Sequence, residues 1–181
     1  MSGITAGECA VLVIDMQQGL VTGAYNEAKI VAAINDVVER ARDAGCPVIY
    51  VQHCHQHYKP LMKGEAGWKI HPGMNFHNSD EVVEKTASDA FYKTSLAKKL
   101  TVLGIQQLVI TGMQSEYCVD ATCRSALSHD FNVLLVADGH TTGNGGMPAE
   151  DIIRHHNEIL PNLAHPSATL LSVNSGELLF A

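Results

Sequence analysis

Apolar residues fall into two rhythms along this chain. Cys9–Ile14, Val48–Val51, Leu108–Ile110, Val133–Ala137 and Ala168–Val173 are short runs with little polar alternation, which predict strands buried on both faces. Glu81–Glu84 reads as a further short strand. Between the runs the spacing becomes helical. Ile30, Ile34, Val37, Val38 and Ala41 make one stripe, with Asn26 placed to cap it, Gly45 to end it and Pro47 to enforce the stop. Phe91, Leu96, Leu100 and Leu103 make a second, ended by Gly104. Cys118, Val119, Thr122 and Ala126 make a third, running to about His129. Ile152, Ile153, His156, Ile159 and Leu160 make a fourth, with Pro148 in its first turn and Pro161 at its end. Met16–Tyr25, Leu61–Ser79 and Gly139–Gly146 read as loops.

Strand, helix, strand at these lengths is the βαβ unit of a parallel sheet. Five or six strands alternating with about four helices predict an α/β fold, a three-layer α/β/α sandwich with a mainly parallel sheet. No repeat, linker or low-complexity segment divides residues 1–181, so they read as a single domain.

Composition narrows the partners. The chain is 46% hydrophobic and 17% charged, and its formal charge is −7 without a basic run. That argues against nucleic acid or an anionic membrane as partner. No stretch approaches the length of a membrane span, and Met1–Glu8 lacks the basic start and apolar run of a secretory signal. Five cysteines, an odd number without framework spacing, read as reduced thiols in a cytoplasmic protein.

The candidate chemistry lies where strands end. Asp15 follows the first run, Lys85 follows Glu81–Glu84, and Cys118 opens a helix just beyond Leu108–Ile110. In open α/β sheets, sites collect at the carboxyl edge. A helix N-terminus presents free N–H groups and positive potential, which favour a thiolate and could hold an oxyanion. Taken singly, Asp15 is a turn residue, Lys85 a solvated surface group and Cys118 a small buried hydrophobe. Together they supply a nucleophile, a base and a cation to hold the base. His53, His55 and His57 alternate after the second strand; a continuing strand would face all three one way, and a short loop would splay them. Trp68, the only tryptophan, either covers a pocket or fills space beneath its loop. Gly139–Gly146 lacks the spacing of a phosphate cradle.

Four segments in order resemble the isochorismatase-like cysteine hydrolase family. They are Ala10–Gln17, Val51–His53, Gly64–Pro72 with Lys85–Phe91, and most strongly Thr111-Gly112-Met113-Gln114-Ser115-Glu116-Tyr117-Cys118-Val119-Asp120-Ala121-Thr122. The resemblance spans nearly the whole chain and implies a Rossmann-like topology and hydrolysis of a small carbonyl substrate, most naturally an amide or other C–N bond. It implies Cys118 as the nucleophile forming a thioester, Asp15 as the base and Lys85 as the bridge between them. It also implies a cis peptide at Met113–Gln114, with the Gln114 and Cys118 N–H groups as the oxyanion hole. Gln17, His53, Trp68 and Tyr117 are the candidates for touching substrate. Relatives of the nicotinamidase type carry an Asp-x-His metal pair after the second strand; here the segment is Gln52-His53-Cys54-His55, so neither metal nor cofactor is expected. Leu20 stands where the family often has an aromatic residue, and Cys123, five residues beyond Cys118, lies off its helical face. The family also implies a homo-oligomer, a dimer or larger. Two other readings remain: a small-molecule-binding or scaffold protein that keeps the site, and a redox protein pairing Cys118 with Cys54 or Cys123, against which the absence of Cys-x-x-Cys counts.

Overall fold

The computed structural model describes residues 4–181; the first three residues of the Met1–Glu8 stretch lie outside them. Six strands form one sheet: β1 (Cys9–Ile14), β2 (Val48–His53), β3 (Glu81–Lys85), β4 (Gln107–Met113), β5 (Asn132–Thr141) and β6 (Leu170–Val173). Their order is β3-β2-β1-β4-β5-β6, and every pairing is parallel. The chain builds outward from β1 to β3, then crosses back to lay β4 on the other side of β1. The connections therefore diverge above the β1–β4 pair, which opens a crevice at the carboxyl edge.

Period-two geometry sends alternate residues of β1 into two cores. Ala10, Leu12 and Ile14 enter one, with Leu96 and Leu100 of α3 (Leu96–Val102) and Cys123, Ala126 and Leu127 of α4 (Asp120–Ser128). Cys9, Val11 and Val13 enter the other, where α2 (Glu27–Asp43) buries Ile30, Ile34, Val37, Val38 and Ala41. That is the stripe read from the sequence, and each buried Val or Ile contributes about 1.5–3 kcal/mol. Two further helices, α1 (Gln18–Val21) and α5 (Ala149–Ile159), complete the set. No helix among the described residues is long and apolar enough to cross a membrane.

Several boundaries differ from the sequence reading, each for a local reason. Asn26 is left-handed (φ 53°) and its side chain does not cap α2; the Gly23 N–H instead donates to Glu27 Oε2 at 2.8 Å. Lys85 is the last residue of β3 rather than the residue after it. Phe91 lies outside α3, and Leu103 is half exposed beyond its end. The loop Met16–Tyr25 contains the short α1. β5 does not stop at Asp138: it bulges, with Ile110 paired to Leu135 and Gly112 paired to His140, and continues to Thr141. The bulge leaves Asp138 exposed, where it accepts hydrogen bonds from the Ser175 backbone N–H and hydroxyl.

Candidate active site

β1, β3 and β4 each deliver one side chain to the crevice. Asp15, immediately after β1, has φ 50°, a left-handed conformation that Asp tolerates better than most residues. Its N–H donates to Val51 O at 2.9 Å, and its carbonyl accepts from Gln17 N–H at 2.7 Å. These bonds hold the carboxylate fully buried against Lys85, with Oδ2 2.7 Å from Nζ. The contact is an ion pair rather than an aligned hydrogen bond, and neither Asp15 oxygen has a hydrogen-bond partner in the protein. A buried carboxylate with both oxygens unsaturated is free to accept a proton from whatever faces it.

Lys85 Nζ is the hub. Besides Asp15 it reaches Cys118 Sγ at 3.1 Å, Ala87 O at 3.1 Å and His53 Nδ1 at 3.2 Å. His53 and Lys85 are direct partners in the β2–β3 register, so the sheet itself sets this pair. An ammonium only donates, so His53 Nδ1 accepts and the ring proton sits on Nε2. Burial, followed by the Lys85 charge, holds the His53 imidazole below its ordinary range. The segment bearing Ala87 is pinned to α4: Ser125 Oγ donates to Asp89 Oδ2 at 3.0 Å, and Ala90 N–H donates to Thr122 Oγ1 at 3.2 Å.

Cys118 sits on a single π-helical turn, Ser115–Val119, between β4 and α4. The Met113–Gln114 peptide is cis, as the resemblance implied. Gln114 O turns back into the turn and accepts from the Tyr117 and Val119 N–H groups, both at 3.1 Å. Gly112 permits the approach to β1: it has φ 116°, and a Cβ there would lie 2.0 Å from Ile14 O. The thiol is pushed up to about 12, by burial first and the Asp15 charge second, with Lys85 pulling the other way. The position at a helix start favours a thiolate, whereas burial and the Asp15 carboxylate act against it and outweigh the Lys85 ammonium. The resting group is the thiol.

The other candidates separate. Gln17 is fully buried and its amide is committed: Oε1 accepts His53 N–H at 2.8 Å, while Nε2 donates to His53 O at 3.0 Å and Trp68 O at 2.8 Å. It clamps the backbone of His53 rather than presenting an amide to a ligand. Gln52 Nε2 adds a second bond to Trp68 O at 2.8 Å, and the indole N–H donates to Cys54 Sγ at 3.2 Å. Trp68 is thus a half-buried wall held in a loop that returns to the strand edge through Gln18 N–H to Lys69 O and His71 N–H to Met16 O, both 2.8 Å. Tyr117 is exposed beside Cys118. β2 ends at His53, so the three histidines splay: His55 and His57 are exposed in the loop and His53 alone reaches the site. The contacts that His53 and Ala87 make with the Lys85 hub were not legible in the sequence, because one depends on strand register and the other on a backbone carbonyl.

Asp15, His53 and Cys118 bring three ligand-type atoms within 4.8 Å of one another. The Lys85 ammonium lies 2.7, 3.2 and 3.1 Å from those same three side chains, so the cluster already encloses its cation and fits a metal poorly. All five cysteines are free; Cys123 is sealed in the core and Cys54 is engaged by Trp68, which disfavours either as a resolving thiol.

The chain has relatives of known family and fold. A family model for the isochorismatase domain matches residues 9–167. Streptothricin hydrolase of Streptomyces noursei is 35% identical over 136 residues, covering 74% of this chain and 54% of its own. The chain spans about half the length of the two streptothricin hydrolases it matches. A cysteine hydrolase from Pseudomonas syringae pv. phaseolicola 1448A has the same fold, with TM-score 0.87 at 18% identity over 98% of this chain and 93% of that one. N-carbamoylsarcosine amidase from Thermoplasma acidophilum superposes with TM-score 0.76 at 27% identity, over 94% of this chain and 98% of that one.

Proposed function

The chain belongs to the isochorismatase family, and from that premise we propose that it hydrolyses a small amide or related C–N bond through a thioester on Cys118. The observation that carries this is the convergence on one ammonium: Lys85 Nζ stands 2.7 Å from Asp15 and 3.1 Å from Cys118, with Asp15 otherwise unpartnered. Those groups come from three strands and have no structural need to meet.

A thiol pushed up to about 12 does not ionise in advance, so its proton leaves as sulfur attacks. Cys118 Sγ bonds to the substrate carbonyl carbon while its proton passes to Asp15. The carbonyl oxygen becomes an oxyanion, received by the Gln114 and Cys118 N–H groups. Lys85 holds the carboxylate in place and offsets negative charge as the proton moves. The C–N bond then breaks, and Asp15 returns the proton to the leaving nitrogen. Water attacks the thioester, giving a proton to Asp15; collapse releases the acid and restores the thiol. His53, beside Lys85 at the end of β2, is suited to line the substrate side of the site, and Trp68 and Tyr117 to wall it. In the same proposal the chain acts within the cytoplasm as a single-domain homo-oligomer.

The test is intact-mass measurement during incubation with a panel of small amides, N-carbamoyl amino acids, streptothricin and nicotinamide, comparing wild type with Cys118→Ala. An acyl adduct or product confined to the wild type is expected. Equal product from Cys118→Ala refutes the nucleophile assignment. Iodoacetamide labelling without turnover of any compound moves the assignment to a binding protein that retains the site.

A further inference from the structure

Beneath the cysteine turn lies a buried polar chain that the proposed chemistry does not use. His140 has no exposed surface, and Ser115, the first residue of the π turn, has none either. Ser115 Oγ is 2.7 Å from His140 Nδ1, and His140 Nε2 is 3.0 Å from Asn157 Oδ1. Asn157 Nδ2 donates to Ala137 O at 3.1 Å, and Ser172 Oγ donates to Asn157 Oδ1 at 2.8 Å.

The donors and acceptors in this chain are fully determined. A backbone carbonyl only accepts, so the Asn157 atom facing Ala137 is its NH2, and the atom facing His140 is its oxygen. His140 Nε2 must then carry the proton. Nδ1 is left as an acceptor, and the Ser115 hydroxyl donates to it. The network joins β6, α5, β5 and the cysteine turn in one tautomer: Ser115 donates to His140, His140 donates to Asn157, and the same Asn157 oxygen accepts from Ser172.

The bulge in β5 places His140 here. It sets His140 opposite Gly112, two residues before the Gln114 whose N–H is assigned to the oxyanion hole. Ser115 is bonded in sequence to that residue. We infer that His140, oriented by Asn157 and Ser172, is a positioning residue that fixes the oxyanion side of the cysteine turn through Ser115. The inference rests on the hydrolase reading above. Burial keeps the imidazole neutral, down to about 4, with His156 opposing protonation and Asn157 and Asp138 favouring it. The acceptor at Nδ1 is therefore retained across the ordinary pH range. The arrangement puts a rigid, dry network under the half of the site that stabilises charge, whereas Asp15 and Lys85 govern the thiol from the opposite side.

Two reactions of one sulfur separate these halves. Iodoacetamide alkylates Cys118 by displacement at a methylene carbon and needs no oxyanion hole. p-Nitrophenyl acetate acylates it through a tetrahedral oxyanion and does. The experiment measures both rates in wild type, Ser115→Ala, His140→Leu and the double variant, with melting temperatures. Acylation is expected to fall tenfold or more in each single variant, with alkylation within about twofold of wild type. The double variant is expected to be no slower than the slower single variant, because both act through one hydrogen bond. Ser115→Ala removes one oxygen and serves if His140→Leu does not fold. Unchanged acylation, or acylation and alkylation falling together, overturns the positioning role alone. Acyl release from wild type that Cys118→Ala matches overturns the nucleophile assignment and, with it, the oxyanion role of the network.

Discussion

Replacing Asp15, the proposed base, should make Cys118 easier to label while abolishing turnover. In Asp15→Asn one negative charge is lost beside Cys118; the reactive atoms of the two side chains lie within 4.8 Å. At an effective dielectric constant of about 20, a unit charge at that distance is worth about 3.5 kcal/mol, or roughly 300-fold in thiolate population. Cys118 is partly exposed, so solvent screening reduces this, and a gain of about tenfold to a hundredfold in iodoacetamide labelling at pH 8 is the expected outcome. Lys85, fully buried and deprived of Asp15, would take the thiolate as its counter-ion, which adds to the gain and limits the loss of stability. Lys85→Met reverses the sign: with the cation that lowers the thiol removed, labelling should slow below wild type. The assay is second-order labelling of Cys118 by mass spectrometry, with circular dichroism to establish folding. A folded Asp15→Asn protein labelled no faster than wild type would refute the claim that the carboxylate, after burial, holds the thiol in its protonated form.

Three further outcomes follow from the same geometry. His140 titrates near 4 when folded against an ordinary 6.5, so the unfolded chain binds the extra proton between those values. Stability is fully present above about 6.5 and falls with pH toward about 4, by about 3 kcal/mol, and His140→Gln should flatten that part of a urea-midpoint-against-pH curve. Gln17→Leu strands the His53 N–H and deprives two carbonyls, Trp68 O keeping only Gln52; a loss of about 1–3 kcal/mol per stranded group in chemical denaturation is expected, with turnover falling as His53 loosens. Gly112→Ala drives a Cβ to 2.0 Å from Ile14 O, so soluble, folded protein should not be recovered; a native-like melt would show that β1 and β4 can separate freely at this edge.

The layers of the fold were readable because they are apolar. The α2 stripe and the unbroken apolar run of β1 are both visible in the hydrophobic pattern, and a mainly parallel sheet follows from the βαβ lengths. The order of strands was not readable from periodicity, since a strand's neighbours are chosen by long-range packing. The resemblance supplied that topology. The same limit explains His53: its position beside Lys85 is a consequence of β2–β3 register, which no local pattern encodes.

Where the sequence reading stopped short, the interior becomes polar. The apolar run of β5 ends at Ala137, and a hydrophobic criterion ends the strand there. Yet the chain continues as strand through Thr141, and His140, Thr141 and Thr142 are all buried. They are tolerated inside because each is hydrogen-bonded: His140 to Ser115 and Asn157, Thr141 to Tyr25 O, Thr142 to Glu116. A buried polar residue with its partners looks, in sequence, like a loop residue in water. The thiol carries the same lesson with the opposite sign. Position at a helix start argues for a thiolate, but burial and one neighbouring carboxylate decide the matter, and both come from elements far away in the chain. Buried polar clusters of this kind concentrate at the places where hydrophobic pattern is least informative, because their members are held by partners distant in the chain. Motif spacing located Asp15, Lys85 and Cys118; only the bond-by-bond accounting of polar atoms separates Gln17, whose amide is consumed, from Asp15, whose oxygens are free to act.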